Sequence, residues 1–190
     1  MGWIIFGFVV ALVGILLIRT LTLKPTPAKT VKLEFEKSER ATEYGKKLAK
    51  MVQNETISSR FVQDMAKFEK FHKTLEELFP LVHKTCMKYD IDGNLLYKWE
   101  GKSDKNPILF MSHQDVVEAT GVWEHEAFSG DIDEDGNVWG RGTVDTKGSL
   151  FCIFTAFEEL IADGYEPECD VYIGSSCTEE WSGDGAPKTV

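Results

Sequence analysis

The chain lacks an excess of basic residues. Thirty-one Asp and Glu oppose 21 Lys and Arg, a formal charge of −10 over 190 residues. Nucleic-acid surfaces need clustered cations, so the balance argues against that class of partner. Cysteine is scarce. None of the four (Cys86, Cys152, Cys169, Cys177) forms a C-x-x-C pair, which excludes a zinc ribbon and a thioredoxin-type redox motif. Cys152 falls in an apolar helical pattern and reads as buried filler. Internal repeats and low-complexity tracts are absent, and the length suits one domain with a core, or a domain plus a tail.

Three familiar motifs are present only in part. Asp131-Ile132-Asp133-Glu134-Asp135-Gly136 begins like a calcium loop, but its closing position is Gly142 rather than Glu. Gly174-Ser175-Ser176-Cys177-Thr178 lacks the second glycine of a nucleophile elbow. Gly140-Arg141-Gly142 lacks the third glycine of a dinucleotide fingerprint. EF-hand calcium, elbow-serine catalysis and dinucleotide binding are set aside.

The N-terminus lacks charge from Trp3 to Ile18; Arg19 is the first. No cation precedes the apolar run, and Leu17-Ile18-Arg19-Thr20-Leu21 offers no small-x-small cleavage site, against a removed signal peptide. About 18 residues precede the first charge, the short end of a bilayer span. Residues 1–23 therefore read as an uncleaved single-pass anchor, in the membrane through residues 3–23. Residues 24–36, with Pro25 and Pro27, read as a juxtamembrane linker. Arg19, Lys24, Lys29 and Lys32 flank the run on its C-terminal side, which points to a cytoplasmic main domain by the positive-inside rule.

Residues 37–190 carry the pattern of an α/β domain. Ala41, Tyr44, Leu48 and Met51/Val52 recur at helical spacing, as do Phe61, Met65, Phe68, Phe71/His72, Leu75 and Leu78/Phe79. His72 falls on the apolar face and reads as packed there. Strands are expected from His83 onward. Asp92-Gly93-Asn94 is a hairpin signal. Ile108-Leu109-Phe110-Met111 reads as a strand buried on both faces. Leu150, Ile153/Phe154, Phe157 and Leu160/Ile161 form a helical stripe closed by Gly164. Asp170 to Gly174 is a second central-strand candidate. Strand, helix, strand at this spacing predicts a mixed, largely parallel sheet flanked by helices and preceded by a transmembrane helix.

The chemistry sits just past those strands, where open α/β sheets gather functional groups. In Ser112-His113-Gln114-Asp115, residues two apart point the same way. His113 can then ligate a metal while Asp115 accepts its other N–H. The plain alternative is a structural His–Asp pair. Asp145 follows the tight Gly140-Arg141-Gly142 turn, where a carboxylate can bridge two metals or merely cap a helix. Glu179 and Glu180 are adjacent, so their side chains diverge. One can bind metal while the other acts as a base, or both can be solvated surface acids.

Together the motifs resemble the dinuclear zinc exopeptidase/deacylase family of aminoacylases, acetylornithine deacetylases, succinyl-diaminopimelate desuccinylases and glutamate carboxypeptidases. The resemblance runs from Ile108 to Val117, through Trp123-x4-Phe128-Ser129-Gly130 and Trp139-Gly140-Arg141-Gly142-x2-Asp145-x-Lys147-Gly148, to Glu179-Glu180-x2-Gly183-x-Gly185-Ala186. It looks closest to the carboxypeptidase S and N-fatty-acyl-amino-acid hydrolase branch. It implies two zinc ions: His113 on one, Glu180 on the other, Asp145 across both, with Glu179 the general base and Asp115 orienting His113. The implied substrate is a small peptide or N-acyl amino acid, cut at an amide next to a free carboxylate. Two departures from the pattern are Glu118, where Pro is common, and Thr146, where Asp is common. Two further ligands and a lid domain would fall beyond Val190, so the resemblance is to an N-terminal part, expected to hold zinc weakly and turn over little. The rival reading is a membrane-anchored, non-catalytic remnant or interaction domain.

Overall fold

The computed structural model describes residues 2–24, 38–61 and 63–189. Two compact units, Met1–Phe35 and Glu36–Val190, are taken separately. The first contains helix α1 (Gly2–Thr22), 21 residues with none buried. At 1.5 Å per residue it is about 30 Å long, the thickness of a bilayer's hydrocarbon core. By length and composition it can cross a membrane, and a signal sequence near an N-terminus has the same character. The expected linker, with Lys29 and Lys32, lies outside the described residues beyond Lys24.

The second unit opens with helices α2 (Glu39–Val52), α3 (Met65–Leu78) and α4 (Pro80–Thr85). Ser38 starts α2 by accepting from the Ala41 amide, and Asp64 starts α3 by accepting from the Ala66 amide. Ala49, Met51 and Val52 are buried on α2, with Tyr44 and Leu48 packed against the core. Phe68, Phe71, His72, Leu75 and Leu78 are buried on α3. Phe61 departs from expectation: it precedes the Asp64 cap and is 89% exposed. The stretch around His83 is helical rather than extended, because Pro80 is tolerated in the first turn of α4.

Four strands follow: β1 (Met87–Ile91), β2 (Asn94–Trp99), β3 (Ile108–Met111) and β4 (Val171–Ser175), in the order β1-β2-β4-β3. Helix α5 (Gly148–Ala162) joins β3 to β4, and α6 (Gly185–Thr189) follows β4. The sheet is mixed, but not largely parallel. The β1/β2 and β2/β4 ladders are antiparallel, and β3/β4 is parallel. The tight turn at Asp92-Gly93 forces its two strands antiparallel, whereas the α5 crossover permits the parallel pair. Leu95, Tyr97 and Trp99 alternate onto one face of β2 and join Ile173, Phe71, Leu75, Phe79, Phe154 and Phe157 in the core.

Two burial expectations are corrected. The β3 residues Ile108, Leu109, Phe110 and Met111 are 44–54% exposed, because among the described residues β3 is an edge strand that pairs with β4 alone. Its apolar run reports a strand that needs cover on both faces, which the described residues do not provide. Cys152 is exposed rather than buried. It faces outward on α5, between the buried Phe151 and the half-buried Ile153.

Candidate metal centre

Because β3 and β4 run parallel, their carboxyl ends share one edge of the sheet. The ladder continues past Met111: the Ser112 amide donates to Gly174 O (3.1 Å) and the Gln114 amide to Ser176 O (2.9 Å). That extension keeps Ser112–Asp115 straight, so His113 and Asp115 share one side and Gln114 takes the other. The chain then pairs with the loop after α2, through Val116 N to Thr56 O (2.9 Å) and Ser58 N to Val116 O (3.1 Å).

The third segment comes from the Gly140-Arg141-Gly142 turn. Gly142 has φ +85°, and a Cβ there would lie 2.6 Å from Val116 Cγ1, so only glycine fits. Lys147 N closes the turn onto Gly142 O at 2.8 Å. Between them Asp145 leaves helical dihedrals, its following peptide is cis, and its side chain stays 77% exposed.

Three segments thereby converge. One ligand atom each from His113, Asp145 and Glu180 lies within 4.8 Å of the others. His113 Nε2 is 3.1 Å from Asp145 Oδ1 and 3.6 Å from Glu179 Oε2. Its other nitrogen, Nδ1, is 2.9 Å from the Asp115 carbonyl and 3.4 Å from the Asp115 carboxylate. The main-chain oxygen is thus the nearer acceptor, with the carboxylate behind it.

Asp115 itself is fully buried. Its carboxylate accepts from the Ser58 hydroxyl and from the amides of Glu179 (3.2 Å) and Glu180 (3.1 Å). It therefore ties the His113 segment to the Glu179-Glu180 loop as well as facing the imidazole. Burial favours its neutral form, but the bonds from His113, Ser58 and the two amides prevail and hold it below the usual carboxylate range. Burial also opposes a charge on His113, yet Asp115 and Asp145 outweigh it and raise the imidazolium to about 9. Burial, with Asp145, Asp115 and Glu179 nearby, raises Glu180 despite His113. An imidazole nitrogen with two carboxylates suits zinc or a similar divalent ion, which must displace the His113 proton to bind.

Sequence reasoning missed three supporting groups. Ser58 lies in a loop with no motif to mark it. His72 is packed as expected, but its Nε2 also meets the buried Gln114 Oε1 at 2.8 Å, and Gln114 Nε2 donates to Gly93 O and Ser175 O. This amide clamps the strand extension between His113 and Asp115. Lys147 is fully buried, its Nζ 2.5 Å from Asn54 O and 5.1 Å from the Phe71 ring centroid. Burial pushes it down to about 7. Its place in the Asp145-x-Lys147-Gly148 motif was the available signal.

Residues 109–190, which contain all five site residues, match the model of Peptidase family M20/M25/M40. The resemblance seen in the motifs is therefore borne out. Probable carboxypeptidase S-like 2 of Dictyostelium discoideum is 39% identical over 151 residues, 75% of this chain and 29% of that protein. N-fatty-acyl-amino acid synthase/hydrolase PM20D1 of Xenopus tropicalis is 34% identical over 193 residues, 95% of this chain and 37% of that protein. Human carnosine dipeptidase 1 shares the fold, with a TM-score of 0.59 at 18% identity over 77% of this chain and 34% of that one. The chain spans well under half the length of each of these proteins.

Proposed function

We propose that this chain carries part of the reaction centre of a zinc-dependent hydrolase that cuts an amide next to a free carboxylate. The substrate is a peptide C-terminus or an N-acyl amino acid. The observation that carries the reading is the meeting of His113, Asp145 and Glu180 ligand atoms within 4.8 Å, with Glu179 alongside. The names of the two curated relatives, a carboxypeptidase and a fatty-acyl-amino acid hydrolase, support the bond type. In this reading His113 and Glu180 would each help hold one ion, and Asp145 would serve both.

Zinc held there would polarise the scissile carbonyl and acidify a water molecule. The protein does the rest. Glu179, whose side chain is 57% exposed, takes the proton of the attacking water and delivers it to the leaving amine nitrogen. Asp115 keeps the imidazole turned toward the ions and holds the loop that presents Glu179 and Glu180. Replacing Glu179 by Gln in a protein with the complete site abolishes turnover while zinc content is kept. Retained turnover would reject the base assignment.

Three ligands leave the coordination of two ions open, so this chain alone binds zinc weakly and turns over little. Metal analysis after dialysis tests that, and two tightly held ions per chain would contradict it. Helix α1 serves as a single-pass anchor; release by alkaline carbonate would exclude an integral span.

A further inference from the structure

Gln114 stands between His113 and Asp115, fully buried, and every polar group it owns is taken. Its backbone N–H donates to Ser176 O at 2.9 Å, and its carbonyl accepts from the Thr56 hydroxyl at 2.6 Å. Its side-chain nitrogen donates to Gly93 O at 2.8 Å and to Ser175 O at 3.1 Å. Two carbonyls on that side place the amide nitrogen there, so Oε1 must face His72. Oε1 can only accept, and His72 Nε2 lies 2.8 Å from it. The proton of the neutral His72 ring is therefore on Nε2.

His72 is buried on α3. Burial lowers its pKa, although Gln114 and Asp90 oppose this, so the ring is neutral above pH 7. Its other nitrogen faces Asp90 Oδ2 at 3.5 Å. Asp90 Oδ1 accepts from the Gly93 amide at 2.8 Å. His72, Gln114, Gly93 and Asp90 thus close a ring that ties α3 and the β1/β2 turn to the strand carrying His113. A packing role alone would be met by an apolar side chain. The Nε2–H is what fixes the direction of the Gln114 amide.

We propose that His72 is a positioning residue of the metal centre, acting through Gln114 on the placement of His113 and Asp115. Consecutive Cα atoms are about 3.8 Å apart, so a shift of Gln114 passes directly to both neighbours. The contacts they make leave little slack: His113 Nε2 is 3.1 Å from Asp145 Oδ1, and Nδ1 is 2.9 Å from the Asp115 carbonyl. The role rests on the reading of His113, Asp145 and Glu180 as ion ligands.

The test is a Co²⁺ titration of the full chain in non-ionic detergent micelles, followed by visible absorption, which reports coordination geometry. The parent is expected to bind, and His113→Gln to lose that binding. His72→Leu leaves Gln114 Oε1 without a donor and weakens Co²⁺ about tenfold or more. His72→Gln keeps an amide donor near the Nε2 position and retains the parent affinity and spectrum. Leu75→Ala, one turn along α3 at a fully buried position, lowers the denaturation midpoint and leaves the affinity of the folded chain unchanged. A merely structural His72 would behave like Leu75: a lower midpoint with parent affinity in His72→Leu overturns the proposal and keeps the metal centre. No saturation by the parent up to about 10 mM removes the metal centre and the role with it. Should His72→Leu fail to fold, a tenfold loss in His72→Gln overturns the assignment. So does NMR of the ¹⁵N-histidine-labelled parent at pH 8, if it shows the His72 proton on Nδ1.

Discussion

Replacing Asp115 by Asn tests what holds the candidate site together. The change removes a charge and nearly preserves shape. Two costs follow, and only one depends on pH. The constant cost comes from the part-buried amides of Glu179 and Glu180 and the buried Ser58 hydroxyl, which now share one carbonyl oxygen in place of two carboxylate oxygens. One donor left facing the Asn NH₂ costs about 1–3 kcal/mol. The pH-dependent cost comes from His113. Its rise from 6.5 to about 9 corresponds to about 3 kcal/mol of preference for the charged ring. Because the folded value is raised, that stability is fully present below pH 6.5 and is lost as pH climbs through 9. Asp115 supplies much of it, with Asp145 contributing the remainder.

The variant is therefore expected to lose about 3–6 kcal/mol at pH 6 and about 1–3 kcal/mol at pH 9.5. Urea unfolding of both chains in detergent micelles with EDTA, followed by tryptophan fluorescence, measures the two losses. Comparing variant with parent cancels the titration of groups they share. Equal losses at both pH values would refute the reasoning. They would mean that the Asp115 carbonyl, at 2.9 Å, holds the imidazole and the carboxylate at 3.4 Å is incidental.

Gly142→Ala places a Cβ 2.6 Å from Val116 Cγ1 at φ +85°; a loss of about 1–3 kcal/mol is expected, and an unchanged denaturation midpoint would show that the turn yields. Lys147, lowered from 10.5 to about 7, is neutral in the folded chain and charged in the unfolded chain between those values. Stability from this group accordingly rises with pH across that window, by up to about 1.4 kcal/mol per unit, and Lys147→Met should flatten the stability profile between pH 7 and 8.5 by about that slope. Metal binding competes with the His113 proton, so the apparent Co²⁺ affinity should rise about tenfold per pH unit from pH 6 to 7.5; a flat profile would place the ion elsewhere.

Local pattern carried most of what was legible. The helical faces of α2 and α5, the Asp92-Gly93 hairpin and the β3–α5–β4 crossover are short-range features, written as spacing and turn chemistry. So were His113, Asp145, Glu179 and Glu180, since each stands beside a strand end or a tight turn that is itself a local signal. Cover is not local. The run Ile108–Met111 asks for two neighbours and has one ladder among the described residues, and the outward turn of Cys152 depends on which face of α5 the core takes.

The sequence by itself determined the candidate ligand residues, the segment that resembles the peptidase family, the long apolar N-terminal helix and the order of the elements. Only the tertiary structure decided that the sheet is mainly antiparallel in its ladders, that Asp115 is the knot joining Ser58 to the two glutamates, and that Arg141 stacks on Trp123. The physical reason is sequence distance. Ser58 and Asp115 are 57 positions apart, and Asp115 and Glu180 are 65. Hydrogen bonds across such gaps exist only once the strand register and the glycine turns have brought the segments together.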